Sequence, residues 1–139
     1  MALLEAEIIM SLNVKCSEAF EIGCGTEGLS RVIPIIGGRF AGKLSGDIIS
    51  GGADWNTENS EHATHVFAKY LLHTVDGEYI GIQNEGMIDF QDNQLIRTFV
   101  RFNASKDGNY AWMNTGVYVG NLSGGEQLHE VSINIYKMY

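Results

Sequence analysis

The chain has few of the features that mark exported, membrane-spanning or nucleic-acid-binding proteins. Its only cysteines are Cys16 and Cys24, and Glu5 and Glu7 interrupt the apolar residues at its start, unlike a secretory signal. We therefore expect free thiols in the reducing cytoplasm. No apolar run approaches the ~18 residues of a membrane-spanning helix. The net charge of −8 opposes binding to nucleic-acid phosphates.

Proline is almost absent, whereas glycine is frequent. Pro34 is the single proline and interrupts an apolar run, residues 32–36. Because proline has no N–H to donate to a β-ladder, we predict an edge strand or a bulge there. Six of the 17 glycines fall in the next stretch, at positions 37, 38, 42, 46, 51 and 52. Glycines spaced among β-forming residues predict strands that bend sharply, as at barrel corners.

Alternation of apolar and polar residues predicts β-strands along most of the chain. Residues 2–14 alternate with a period of two, and Asp76-Gly77 indicates a hairpin turn after a long strand. The predicted strands are residues 2–14, 31–36, 43–49, 53–57, 62–74, 78–88, 97–103, 110–119 and 127–138. With a short segment at 20–22, this gives nine or ten strands and no convincing helix. The pattern favours a β-sandwich or a β-barrel, without a linker to a second domain.

A series of short motifs adds a family resemblance. In chain order they are Arg31-Val-Ile-Pro-Ile, Gly37-Gly38-x-Phe40-x-Gly42, Gly46, Gly51-Gly52-Ala-Asp54-Trp55, Asp76-Gly77, Asn84-x-Gly86 and Ala111-Trp112-Met-Asn114. In these motifs the chain resembles the bacterial and fungal family called domain of unknown function 3237. The resemblance implies an all-β protein, with residues 1–139 forming a single antiparallel up-and-down β-barrel of calycin or lipocalin type. It implies little about activity, because the family's biochemistry is largely unassigned.

Asp54 and Arg31 are the leading candidates for a catalytic or ligand-binding pair. Asp54 follows the Gly51-Gly52 bend, so its carboxylate can turn into the barrel. Arg31 could orient that carboxylate or bind a ligand carboxylate through two hydrogen bonds. The structural alternative is a buried ion pair that holds the barrel corner. An interior site would be shared with residues of a later strand.

Tyr110, Trp112 and Asn114 share one face of the strand predicted at 110–119. An aromatic platform beside an amide can hold a flat, partly polar molecule, although the same residues could simply form core. Tyr70, Tyr79 and Asn84 could complete such a pocket from the adjacent hairpin. On this basis we expect Asp54, Arg31 and Trp112 to belong to one internal site.

Three functions remain open on the sequence. The first is binding of a small apolar or aromatic molecule, with Trp112, Tyr70 and Trp55 lining the site and Asp54, Arg31 and Asn114 orienting the ligand. The second is a cofactor-independent isomerase, cyclase or lyase. In it Asp54 is the general acid or base, and Arg31 or Asn114 stabilises an oxyanion. The third is an assembly module with a solid core and no ligand.

We expect no metal and no organic cofactor. A metal site needs three or more converging ligands, and residues three apart on a strand, such as His62 and His65, point to opposite faces. We also expect a homo-oligomer, because the apolar strands are long and the chain ends in Tyr136, Met138 and Tyr139. Exposed strand edges and aromatic side chains are commonly covered by a partner.

Overall fold

The strands close into one antiparallel barrel. The computed structural model describes residues 3–59, 62–91, 96–125 and 127–139. Strands β3 to β9 are neighbours in chain order, β1 pairs with both β9 and β3, and β2 extends β3 as an outer hairpin. The predicted all-β, up-and-down barrel is confirmed. The strands are β1 Ala6–Cys16, β2 Phe20–Gly25, β3 Gly28–Gly42, β4 Gly46–Glu58, β5 Thr64–Thr74, β6 Tyr79–Ile88, β7 Arg97–Asn103, β8 Val117–Gly124 and β9 Glu130–Met138.

The single proline lies where β3 changes partner. The first part of β3 pairs with β2 up to Val32, and the later part pairs with β1 from Ile35 onward. Pro34 stands between these two ladders, where its carbonyl oxygen accepts a hydrogen bond from the Ser17 N–H at 3.0 Å. No backbone donor is needed on that side of the strand. Of the two predicted alternatives, an edge or a bulge, Pro34 thus lies at a short unpaired edge between the two ladders.

Glycine lets β1 and β3 approach closely enough to close the barrel. Gly38 has φ of 136°, and a Cβ atom there would overlap the backbone oxygen of Asn13 on β1. In the next strand, Gly51 has φ of 122° within a bulge between Ile49 and Ala53. The two short strands predicted on either side of Gly51 are therefore one bulged strand, β4. The bend was predicted correctly, but it does not end the strand.

One end of the barrel is packed solid. Strand β1 starts and strands β3 and β9 finish at this end, and the largest fully buried side chains fill it. These are Ile9, Met10, Leu72, Ile80, Ile82, Met113 and Ile135, each no more than 1% exposed. Ile9 is the extra residue of a bulge between β1 and β9, which turns Ile8 outward and both Ile9 and Met10 inward. The uniform alternation predicted for residues 2–14 is wrong at that point.

A short 3₁₀-helix, Ala111–Asn114, covers this packed end. The strand predicted at 110–119 is therefore wrong in its first half, because β8 begins only at Val117. Met113 inserts its side chain into the core and is 1% exposed. Tyr110 instead reaches out to Asp76, donating its hydroxyl hydrogen to Oδ1 at 2.8 Å. The alternation of apolar residues in the first half of 110–119 therefore belongs to a 3₁₀ turn, which buries only Met113 among its own residues.

Candidate functional site

The opposite end of the barrel contains a cavity of about 380 Å³. It lies where β1, β4 and β8 finish and where β3, β5, β7 and β9 begin. Aliphatic side chains make up much of its wall: Val14, Ile33, Ile35, Val66, Ala68, Leu122, Val131 and Ile133. The polar lining residues include Cys16, Asp54, Asn56, Tyr70, Asn84, Thr98, Ser123, His129 and Glu130. A concave, mainly apolar space with a few polar groups is the usual form of a small-molecule site.

Asp54 places a carboxylate in this apolar surrounding. Burial raises the pKa of Asp54, because removing the ion from water disfavours the charged form. The backbone N–H of Phe67, which donates to Oδ1 at 3.1 Å, and the side chain of Asn56 act against that rise. Asp54 thus holds its proton more strongly than an exposed aspartate does.

Tyr70, Asn84 and Thr98 form the deep polar part of the wall. Thr98 Oγ1 donates a hydrogen bond to Asn84 Oδ1 at 2.5 Å, and both residues are 3% exposed. Burial raises the pKa of Tyr70 and keeps its hydroxyl neutral. The Asn84 amide opposes this rise, because an N–H donor favours the phenolate, although the two groups form no hydrogen bond here.

Small residues make the space between these polar groups. In the antiparallel register Asp54 lies opposite Ala68, and Ala68 lies opposite Asn84, so the three side chains form one row across β4, β5 and β6. The methyl group of Ala68 leaves the middle of that row open. Gly52 lies beside Tyr70, where an added Cβ would come within 2.5 Å of the Tyr70 Cβ. Because glycine has no side chain, Gly52 leaves room for the Tyr70 side chain in the cavity wall.

Arg31 lines a separate surface groove together with Trp55 and does not pair with Asp54. Its guanidinium lies 3.3 Å from carboxylate oxygens of both Glu21 and Glu58. It also donates to Asn56 Oδ1 at 3.2 Å. The predicted Asp54–Arg31 ion pair is wrong, because antiparallel pairing sets Arg31 opposite Asn56 and leaves Ile33 opposite Asp54. Through Asn56, Arg31 contacts a residue that lines the cavity.

Three further predicted site residues lie outside the cavity. Trp55 is the neighbour of Asp54 on β4, so its side chain points to the outer face and is 56% exposed. Trp112 lies over the packed end in a separate groove with Lys43 and Tyr139. The side chain of Asn114 donates to the Ala104 oxygen at 2.9 Å and accepts from the Ala104 N–H at 2.8 Å. The predicted internal site joining Asp54, Arg31 and Trp112 is thus wrong. Of the six residues predicted to bind a ligand, Asp54 and Tyr70 line the cavity, whereas Arg31, Trp55, Trp112 and Asn114 do not.

The polar lining residues that the prediction omitted had a signal in the sequence. Thr98 shares strand parity with the buried Val100, and Asn56 shares it with Asp54. A polar residue on the apolar parity of a strand indicates a buried polar site. Asn84 was predicted as a possible pocket residue and lines the cavity. Tyr79, predicted with it, instead stacks on His73 at 4.3 Å between ring centroids and is 57% exposed.

The comparisons with known proteins agree with the barrel and its motifs. The family model described as "Protein of unknown function (DUF3237)" matches residues 4–138. The chain belongs to this family. Among curated relatives, a UPF0311 protein of Bradyrhizobium diazoefficiens is 24% identical over 151 aligned positions, which cover 97% of each chain. The resemblance deduced from the motifs is confirmed.

Solved structures share the fold over the whole length of this DUF3237 chain. A β-barrel-like protein from Acinetobacter baumannii is 27% identical with a TM-score of 0.87, covering all of this chain and 98% of that one. A crystal structure described as an enzyme from Penicillium herquei has a TM-score of 0.81 and 19% identity, covering 100% of this chain and 97% of that one. At 19% identity the second likeness concerns the fold alone.

Two classes of feature are missing from the described part of this DUF3237 chain. Within residues 3–59, 62–91, 96–125 and 127–139, no three histidine, cysteine, aspartate or glutamate side chains are grouped to hold a metal ion. His65 instead lies 2.6 Å from a Glu85 oxygen. Within the same ranges, no helix has the length and apolar character to cross a bilayer.

Proposed function

We propose that the protein binds a small, largely apolar or aromatic molecule in the open end of its barrel. The observation that carries the proposal is the cavity of about 380 Å³, which falls within the usual range of ligand pockets. Its aliphatic wall offers hydrophobic contact, and its few polar groups can fix the orientation of a ligand. The expected cytoplasmic location stays a prediction.

Contrast between the two ends of the barrel supports this proposal. Protein interiors are close-packed, and a small barrel can be filled entirely by its own side chains. Here isoleucine, leucine, methionine and phenylalanine fill the packed end, whereas Ala68 and Gly52 occupy inward positions beside the cavity. The space therefore follows from small residues at particular positions. An assembly module with no ligand was expected to have a solid core, which the open end does not have.

A cofactor-independent enzyme is the second candidate, and Asp54 favours it. A carboxyl group whose pKa is raised by burial, facing a cavity, is suited to general acid or base catalysis. The isomerase, cyclase or lyase would use Asp54 without Arg31, whose guanidinium is held by Glu21 and Glu58. The enzyme from Penicillium herquei has the same fold. At 19% identity its activity is not transferred to this chain, so this candidate depends on Asp54 alone.

Mass spectrometry of compounds released from purified protein tests the binding function. The native protein would be compared with Ala68→Leu, which fills the middle of the cavity, and with Ala41→Leu, which adds the same group on the exposed outer face of β3. We expect one or more apolar compounds in stoichiometric amounts from the native protein and Ala41→Leu. The amount from Ala68→Leu should fall severalfold. Equal release from all three proteins would contradict binding in the cavity.

A further inference from the structure

Two buried hydrogen-bonding groups in the cavity wall have no partner among the described residues. Tyr70 Oη and Asn84 Nδ2 are both inaccessible to solvent, and neither forms a hydrogen bond with a described residue. Tyr70 is 5% exposed and Asn84 is 3% exposed, and both line the cavity. More than about 90% of buried polar groups in proteins are hydrogen-bonded. Two unpaired groups in one wall therefore point to a partner that comes from outside the chain.

The hydrogen-bonding direction of this pair is set by Thr98. Thr98 Oγ1 donates to Asn84 Oδ1 at 2.5 Å, so the carbonyl side of the amide is already occupied. The free Nδ2 atom of Asn84 can only donate, and the Tyr70 hydroxyl can donate as well. Asn84 lies opposite Ala68, and Tyr70 is the next inward residue of β5 after Ala68. The two donors are thus close neighbours on the inner wall. Neither atom is open to solvent in the ligand-free barrel, so a ligand oxygen reaches them when both side chains turn toward the cavity, where one oxygen with two lone pairs can accept from both.

We propose that the ligand carries a carbonyl oxygen on an otherwise apolar body, with Tyr70 and Asn84 donating to that oxygen. This inference rests on the proposed function and specifies its ligand class. A carboxylate or phosphate is disfavoured, because Asp54 and Glu130 also line the cavity and the protein has a net charge of −8. The apolar body would lie over Ala68 and against Ile33 and Ile35, which share the aliphatic wall.

A matched pair of probes tests the inference. 2-Acetylnaphthalene and 2-ethylnaphthalene have nearly the same shape and differ in the carbonyl oxygen. Equilibrium dialysis should show that native protein prefers the ketone by about tenfold, the ratio expected from about 1.4 kcal/mol of hydrogen bonding. Tyr70→Phe should reduce the preference to about threefold or less. Tyr118→Phe removes a buried hydroxyl near the packed end, where it donates to the Trp112 oxygen at 3.3 Å, and should keep the native preference.

A second readout reports on the hydrogen bond itself. In 2-acetylnaphthalene labelled with ¹³C at the carbonyl, the bound carbonyl resonance should move downfield in native protein and in Tyr118→Phe, and less in Tyr70→Phe. Equal affinities of native protein for the two probes would overturn the carbonyl inference while upholding cavity binding. In that case Asn84 Nδ2 and the Tyr70 oxygen would be the natural partners of each other. Failure of both probes to bind would overturn the proposed function together with the inference.

Discussion

Replacing Tyr70 by phenylalanine should stabilise the ligand-free barrel. The change removes a buried hydroxyl that has no hydrogen-bond partner among the described residues, and it keeps the ring that packs against Gly52. An unsatisfied buried polar group costs about 1–3 kcal/mol. We therefore expect the free energy of unfolding to rise by on the order of 1 kcal/mol.

Thr98→Val is the matched comparison, since it removes a buried hydroxyl that is hydrogen-bonded. Thr98 Oγ1 donates to Asn84 Oδ1 at 2.5 Å, so the valine variant leaves that oxygen without its partner. Truncating one side of a buried hydrogen bond costs about 1–3 kcal/mol. We expect Thr98→Val to lower the free energy of unfolding by that amount, opposite in sign to the effect of Tyr70→Phe.

Urea denaturation followed by circular dichroism measures both effects, after bound compounds have been extracted with solvent. The midpoints should move in opposite directions while the m-values stay equal, which shows that only stability has changed. A loss of 1 kcal/mol or more in Tyr70→Phe would refute the reasoning. It would mean that the hydroxyl is hydrogen-bonded within the ligand-free protein and is not held ready for a ligand.

Three further outcomes follow from the same structure. Burial raises the folded-state pKa of Asp54, so its ionisation lowers stability as pH rises from about 4 through that pKa. The advantage of Asp54→Asn in urea denaturation should accordingly be largest at neutral pH, and an advantage that does not change with pH would contradict it. Gly38→Ala should lower the free energy of unfolding by on the order of 1–3 kcal/mol in thermal unfolding, because φ is 136° and the added Cβ would overlap the Asn13 backbone oxygen. An unchanged stability would contradict the close approach of β1 and β3. The expected homo-oligomer stays a prediction, motivated by the exposed side chains of Trp55 and Phe99, which lie in one row across the outer face of the barrel. Light scattering should give the native protein a mass above the 15.3 kDa of one chain, and Trp55→Glu should lower that mass. A monomeric native protein would contradict the prediction.

Much of the fold could be predicted because period-two alternation and turn residues act locally. Strand β7 matches its predicted bounds, and the Asp76-Gly77 turn joins β5 to β6 as expected. The errors lie where the local pattern conflicts with tertiary structure. One extra residue at Ile9 reverses the parity of β1, and the bulge at Gly51 keeps β4 continuous. Neither change of register is visible in alternation alone.

Less of the site could be predicted, because a site depends on the register between strands. The glycine bend before Asp54 correctly indicated an inward carboxylate. Arg31 was assigned to the same site from its closeness in sequence, but the pairing places it two residues further along the barrel axis, opposite Asn56. Trp112 was assigned from strand parity in a segment that forms a 3₁₀-helix. Composition shows which residues can bind a ligand, and only the register shows which of them meet.

Binding in the open end of the barrel is tested most directly by fluorescence titration with the neutral apolar probe N-phenyl-1-naphthylamine. Native protein and the outer-face control Ala41→Leu should show saturable binding at one site per chain. Ala68→Leu, which fills the gap between Asp54 and Asn84, should bind at least tenfold more weakly while unfolding at a similar urea concentration. Undiminished binding to Ala68→Leu, or no saturable binding to native protein, would contradict the account.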